Sequence, residues 1–333
     1  MNYIGSKHTL TDFLTRTIEL VSGDAPDRTF ADLFAGTGVV GKTFKAKGYR
    51  VISNDLQYYS YVLNRHLIGN RPPLDVSRFF YLNELSGVDG FVYRHYCAGS
   101  GSGRNYFTDG NGRRCDAVRL ELERLRNAGE INDAQYFYLL ASLIQSIDKY
   151  ANTASVYGAF LKHIKKSAER DFQLELLPVI DGVDGCEVYN EDINALIRRV
   201  EGDILYLDPP YNARQYCSNY HVLETIARYD NPPLSGKTGL RAAGEQRSAY
   251  CSSRTAADVL EDVLRHARFQ YIFLSYNNEG LIPLEEIQTI MRRYGAYEMF
   301  STDYRRFKAD TDENRRHRSS STIEYLHCLI KDG

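Results

Sequence analysis

Residues 28–49 read RTFADLFAGTGVVGKTFKAKGY, and they decide the fold. An apolar stretch reaches an acid, Asp32, then passes through Gly36-x-Gly38-x-x-Gly41 into a helical pattern. A strand that enters a helix through such a turn opens a mostly parallel α/β sheet. The glycines permit a tight turn and let a ligand approach the backbone near the helix N-terminus. A second strand, RVISNDL at 50–56, ends in Asp55, placed to accept hydrogen bonds from ribose hydroxyls. A glycine fingerprint alone also fits a plain tight turn; the strand context and the following acid favour a nucleoside cofactor. Asp32, immediately before the loop, suits a cationic amino-acid moiety better than a pyrophosphate. That points to S-adenosylmethionine.

Working outward, TLTDFLTRTIELV (residues 9–21) places Leu10, Phe13, Leu14, Ile18 and Val21 at helical spacing. YYSYVLNRHLIG (58–69) is helical and is broken by Pro72 and Pro73. From 77 to 180 the strand–helix rhythm lapses. CAGSGSGRNYFTDGNGRRCD (97–116) is expected as loop, and DAVRLELERLRNAGEI and DAQYFYLLASLIQSIDKYAN as helices. The rhythm resumes at CEVYNEDI (186–193), with a helix in INALIRRV, strands in DILYL and FQYIFLSYNN, and a helix in LEEIQTIMRRYG. AYEMFSTDY and TIEYLHCLI form a final strand pair. The expected fold is α/β: a Rossmann-like, mostly parallel sheet with an antiparallel final pair and an inserted, mainly helical region. Residues 1–76 and 181–333 would form one discontinuous domain, and 77–180 the insertion.

The 333 residues suffice for one large domain with an insertion, or for two domains. A net charge of −2 announces no polyanion partner, so any nucleic-acid surface must be local. Six scattered cysteines lack C-x-x-C spacing and read as reduced thiols in a cytosolic protein, with no metal site. No apolar run approaches spanning length and no signal peptide is evident, so no membrane is expected.

The strongest chemical signal is DILYLDPPYNARQY (203–216). Its apolar front reads as a covered parallel strand. It stops at Asp208, Pro209, Pro210 and Tyr211, and the prolines make a stiff exit that holds the acid at the strand's carboxyl end. An exocyclic amine on an aromatic base is a poor nucleophile, because its lone pair is delocalised into the ring. Acceptors aimed at its hydrogens favour a tetrahedral nitrogen and stabilise the charge that develops on methyl transfer. Asp208 supplies one acceptor and the Pro209 carbonyl a second. Tyr211 is expected to stack on the base, which must leave the duplex to be reached. An ordinary Asp-Pro turn at a strand end is the plain alternative.

The glycine loop, Asp55 and this elbow occur in the order of strands one, two and four of one sheet. There the chain resembles the Dam-like, alpha-group adenine-N6 DNA methyltransferases over nearly its whole length. NYIGSK (2–7) is similar to that family's N-terminal cofactor motif, DLFAGTGVVG to its glycine motif, SND to its ribose-binding acid, NEDI to its adenine-holding pair and DPPY to its catalytic tetrapeptide. The resemblance implies S-adenosylmethionine held by Asn2, Tyr3, Lys7, Asp32, Phe34, Ala35, Gly36, Thr37, Gly38, Asp55, Asp192, Ile193 and Asp208, with catalysis by Asp208, Pro209, Pro210 and Tyr211. An acid in the first DPPY position is typical of adenine methylation, whereas cytosine-N4 enzymes more often carry serine. No Pro-Cys pair offers the nucleophile of cytosine-C5 methylation.

In the alpha arrangement residues 77–180 read the DNA. A helix in SVYGAFLKHIKKSAER would lay Lys162, Lys165 and Lys166 along phosphates, although a solvated charged face is the usual meaning of such a run. Lys237, Arg241 and Arg247 follow the catalytic strand, in a segment that reads as a loop ordering on DNA. Arg305 and Arg306 lie in the link between the last two strands. The resemblance implies a monomeric, cytoplasmic, metal-free enzyme that flips an adenine from a specific double-stranded DNA sequence. It would be the modification partner of a restriction endonuclease sharing the site without direct contact. Rival readings are an RNA adenine-N6 methyltransferase, a nicotinamide oxidoreductase using GTGVVG, and a DNA-binding module with an inactive cofactor fold.

Overall fold

The computed structural model describes residues 7–23, 25, 27–305 and 321–331, the side chains of 304, 305 and 321 excepted. The chain divides into two compact units. One comprises Gln57–Val179 and Tyr216–Gln246 with Met1–Ile4; the other comprises Gly5–Leu56, Ile180–Gln215 and Arg247–Gly333.

The second unit is built on a seven-stranded sheet. Its strands are β1 (Thr29–Asp32), β2 (Arg50–Asn54), β3 (Glu187–Tyr189), β4 (Glu201–Leu207), β7 (Arg268–Asn277), β8 (Gly295–Arg305) and β9 (Ser321–Lys331). The spatial order is β3-β2-β1-β4-β7-β9-β8. The first five are mutually parallel, whereas β9 runs antiparallel between β7 and β8. The expected final pair is present, with β9 inserted inside β8. Ala31, Leu33, Leu205, Leu207, Ile272 and Leu274 alternate onto one face of the sheet, where they meet Leu260, Val263, Ile287 and Ile290 from two helices. On β1, Phe30 stacks on Phe44 at 3.8 Å. The helix Ala256–His266 forms because Ala256, Leu260, Val263 and Leu264 fall on one stripe, with Asp258 in its first turn and Arg265 and His266 in its last.

The first unit is mainly helical. Its central helix, Asp133–Asp148, opens with a capping box: Gln135 N–H donates to Asn132 Oδ1 (2.9 Å), and Asn132 N–H donates to Gln135 Oε1 (3.2 Å). Tyr136 through Ser142 are all buried, as expected of a helix surrounded by its own unit. A short ribbon, β5 (Leu234–Ser235) with β6 (Leu240–Arg241), completes the unit. No helix of the described residues is long and apolar enough to cross a membrane.

Three expectations are corrected here. The division does not follow 77–180, because the helix Tyr58–Leu67 and residues 216–246 pack into the helical unit. Buried Glu224 ties them: its carboxylate accepts from Tyr59 N–H (2.9 Å), Arg228 Nε (2.5 Å) and Gln246 Nε2 (2.5 Å). The helix expected from residue 116 begins at Asp109 instead. Thr108 caps it by accepting from Asn111 N–H, and Gly112 stands where a Cβ would lie 2.1 Å from Cys97 Sγ. That glycine marks close packing rather than a loop. Conversely, SVYGAFLKHIKKSAER holds only the four-residue helix Lys166–Glu169.

Arg119 is fully buried in the helical unit. Its guanidinium donates to the carbonyls of Ile226 (2.9 Å) and Ala227 (3.0 Å), near the end of the helix His221–Arg228, and pairs with Glu123. Arg119→Ala orphans those carbonyls and leaves a cavity. The expected cost is about 3 kcal/mol, read as a lower denaturation midpoint.

Candidate active site

The strand order reverses between β1 and β4. In open parallel sheets the crevice outside the carboxyl ends at such a point is where ligands bind. Asp32, Asp55 and Asp208 occupy or directly follow the carboxyl ends of β1, β2 and β4.

The glycine loop is shaped as the sequence demands. Gly36 and Gly38 have φ of +50° and +76°, a conformation that favours glycine, and Gly38 begins the helix Val39–Ala46. Asp55 Oδ2 accepts from Gly36 N–H at 2.8 Å, so this acid shapes the loop. Buried Asn54 stitches the neighbouring segments. Its amide donates to the carbonyls of Leu33 (3.2 Å) and Glu191 (3.1 Å) and accepts from Glu191 N–H (3.0 Å). Half-buried Phe34 meets Tyr250 edge-on at 5.0 Å. Asp192 is exposed and caps the short helix Ile193–Leu196, while Ile193 is buried in the core. Ala35 is buried and Thr37 half-buried in the loop. Asn2 and Tyr3 lie outside the described residues.

Asp32 is a strongly perturbed acid of the site. Burial pushes its carboxyl up to about 8, the nearby charges of Asp208 and Asp55 add to that, and the backbone N–H groups of Gly41 and Phe34 oppose it. Its Oδ1 is buried with no hydrogen-bond partner among the described residues. A buried acceptor without a donor fits a cationic, donor-rich group such as the ammonium of S-adenosylmethionine's amino-acid end. The donor set therefore fits that cofactor.

Asp208 is held in a cluster that local sequence does not announce. Lys7, Asp208 and Glu324 are 6%, 17% and 3% exposed. Lys7 Nζ lies 3.0 Å from Asp208 Oδ1, and donates to Glu324 Oε1 at 3.1 Å and to the Tyr211 hydroxyl at 2.7 Å. The Tyr211 hydroxyl lies 2.7 Å from Asp208 Oδ1 and 2.6 Å from Glu324 Oε1. Burial pushes the Asp208 carboxyl up, Lys7 opposes, and the Glu324 charge adds to the rise. For Lys7, burial favours the neutral amine, but the two carboxylates outweigh it and raise its affinity for a proton. Pro209 is buried and Pro210 half-buried. The Tyr211 ring packs at 53° and 4.9 Å against Tyr276, with Lys7 Nζ 4.8 Å from its centroid. Both its hydroxyl and its ring are thus engaged within the protein.

Glu324, Asn54, Tyr250 and Tyr276 were not singled out as site residues by the sequence. For Glu324 a signal existed: it shares the buried parity of β9 with Leu326 and Cys328, an unusual place for an acid.

The basic residues divide. Lys162, Lys166 and Lys237 are exposed on the helical unit, and Arg247 is exposed on the other. Lys165 Nζ donates to the Thr153 carbonyl (2.7 Å), and Arg241 makes a two-pronged pair with Asp230 (3.0 and 2.8 Å). The segment around Lys237 is tied down, since Arg104 donates to the carbonyls of Gly236 and Lys237. The Arg305 side chain and Arg306 lie outside the described residues.

The family model of the D12 class N6 adenine-specific DNA methyltransferases matches residues 3–290. Type II methyltransferase M.NlaIII of Neisseria lactamica is 52% identical, with 99% of each chain covered. M.CviAII of Paramecium bursaria Chlorella virus 1 is 33% identical over 93% of both chains. M.FokI of Planomicrobium okeanokoites is 40% identical over all of this chain but 53% of its own length, so the chain spans about half of that relative. These matches end the oxidoreductase reading. The chain belongs to the D12 class of N6 adenine-specific DNA methyltransferases, with S-adenosylmethionine as its methyl donor.

Proposed function

We propose that the DPPY elbow is the catalytic centre and that it acts on an adenine flipped out of a specific double-stranded DNA sequence. The observation that carries this reading is the asymmetry of Asp208. Its Oδ1 takes both Lys7 and the Tyr211 hydroxyl, while Oδ2 carries no hydrogen bond among the described residues. A carboxylate anchored through one oxygen presents the other in a fixed direction, which is what an acceptor for an amino hydrogen requires.

On this reading Asp208 Oδ2 and the Pro209 carbonyl each accept one N6 hydrogen and hold the nitrogen pyramidal. Asp32, Phe34, Ala35, Gly36, Thr37, Gly38 and Asp55 hold the cofactor, together with Asp192 and Ile193. When bound, the cofactor would supply an electrophilic methyl group to the N6 lone pair that these acceptors expose. Asp208 then takes the proton that leaves nitrogen. No covalent enzyme intermediate is needed.

The helical unit is the target reader in this scheme, with Lys162, Lys166 and Lys237 as phosphate contacts, and Lys165 and Arg241 already engaged within the protein. Its relatives M.NlaIII, M.CviAII and M.FokI are type II methyltransferases by name. On that basis the protein serves a restriction-modification system, as a cytoplasmic monomer that masks the site of a separate endonuclease.

The test is expression in a methylation-free host followed by modification-sensitive sequencing of its DNA. The expected result is N6-methyladenine at one short motif, fully occupied, and protection of that motif from an endonuclease that reads it. Methyladenine scattered without a motif, or found in RNA and not DNA, overturns the reading.

A further inference from the structure

The protons of the Asp208 cluster do not cover its contacts. Lys7 donates to Tyr211 Oη and Glu324 Oε1 and forms an ion pair with Asp208 Oδ1 at 3.0 Å. The Tyr211 hydroxyl has one proton, yet its oxygen sits 2.7 Å from Asp208 Oδ1 and 2.6 Å from Glu324 Oε1. It can donate to only one carboxylate at a time, and the two distances differ by too little to favour either. With Lys7 charged and both acids ionised the cluster carries one net negative charge, so it has room for one more proton.

We propose that Glu324 is a positioning residue that competes with Asp208 for the Tyr211 hydroxyl proton, and so sets how readily Asp208 accepts a proton from the substrate amino group. This rests on the reading of Asp208 as the catalytic acceptor. While the hydroxyl donates to Asp208 Oδ1, the carboxylate is stabilised as an anion and holds the amine by hydrogen bonding. When the hydroxyl turns to Glu324, Asp208 loses a donor and its affinity for a proton rises. One N–H bond of the methylated amino group then breaks, its pair stays on nitrogen, and the proton adds to Oδ2. Among the described residues, the charged or titratable groups coupled to Asp208 include Lys7, Asp32, Tyr206, Tyr211 and Glu324.

Carbon-detected NMR titration of the Asp208 carboxyl, in the full chain without cofactor or DNA, tests this directly. Tyr211→Phe removes the donor and is expected to move the Asp208 titration to higher pH. Glu324→Gln keeps an acceptor oxygen but makes it a weaker rival, and is expected to move it to lower pH. The shift caused by Glu324→Gln should shrink in the Tyr211→Phe background, because only the through-space charge effect remains. In turnover, Glu324→Gln should lower kcat about tenfold, with KM for DNA unchanged and the acidic limb of the kcat profile at lower pH. Equal Glu324→Gln shifts with and without the hydroxyl, or a Tyr211→Phe shift to lower pH, overturn the inference. An Asp208→Ala control separates the two readings. If that variant methylates normally the catalytic reading itself is wrong; if it is inactive while the titrations are additive, only the role of Glu324 fails.

Discussion

Asp208→Ala is expected to lower single-turnover methylation by about a thousandfold, the scale of losing a transition-state acceptor in a water-poor site. The protein should still fold, because Lys7 keeps Glu324 and the Tyr211 hydroxyl as partners. Cofactor binding should survive, and the geometry predicts the direction of any change. The Asp208 charge is the second cause, after burial, of the raised Asp32 carboxyl. Removing that charge lets Asp32 ionise at lower pH, so affinity for a cationic cofactor near neutrality should hold or rise. Calorimetric titration with S-adenosylmethionine beside a methyl-transfer assay checks both halves. Normal methylation by the variant would remove the elbow from the mechanism.

Asp32→Asn should trade function for stability. The folded carboxyl of Asp32 titrates at about 8, against 3.8 for the ordinary group. The folded state therefore holds a proton that the unfolded chain has released, throughout the window between those values. Stability consequently falls as pH rises across that window, and the loss is complete above the folded value. The rise from 3.8 to about 8 corresponds to at most about 6 kcal/mol. Because Asn also leaves an amide in the orphan's place, a gain of about 2 kcal/mol near pH 8 is the expected result. On the proposed reading the same substitution also removes the negative charge that would pair with the cofactor's cation. A charge-assisted hydrogen bond contributes about 2 kcal/mol, or about thirtyfold in affinity. Denaturation curves of the cofactor-free protein across pH should show the slope in the parent and its loss in the variant. A variant that is both less stable and equally avid for the cofactor would contradict the assignment.

Much of the site was legible because its chemistry is local. The turn after β1 needs glycine at Gly36 and Gly38, and a glycine fingerprint records that need directly. The two prolines after Asp208 declare a rigid exit for the same reason: backbone restriction is written one residue at a time. The helical unit was legible in part. The capping residues Asn132 and Gln135 and the apolar run behind them mark one helix. The glycine-rich start of another, at Asp109–Arg114, hid its helical state, because Gly112 answers to Cys97 and not to its neighbours in sequence.

The sequence by itself determined the parallel sheet, the order of its acids and the stiff exit after Asp208, since alternation, glycine turns and prolines act over a few residues. Only the tertiary structure decided what surrounds Asp208. Lys7 and Glu324 stand 317 positions apart and meet across 3.1 Å. They meet because β9 enters the sheet antiparallel between β7 and β8, carrying a buried acid to the carboxyl ends of the parallel strands. No local propensity encodes such a pairing. It follows from burying both faces of the sheet at once, and a buried acid persists there only because a lysine and a hydroxyl satisfy it.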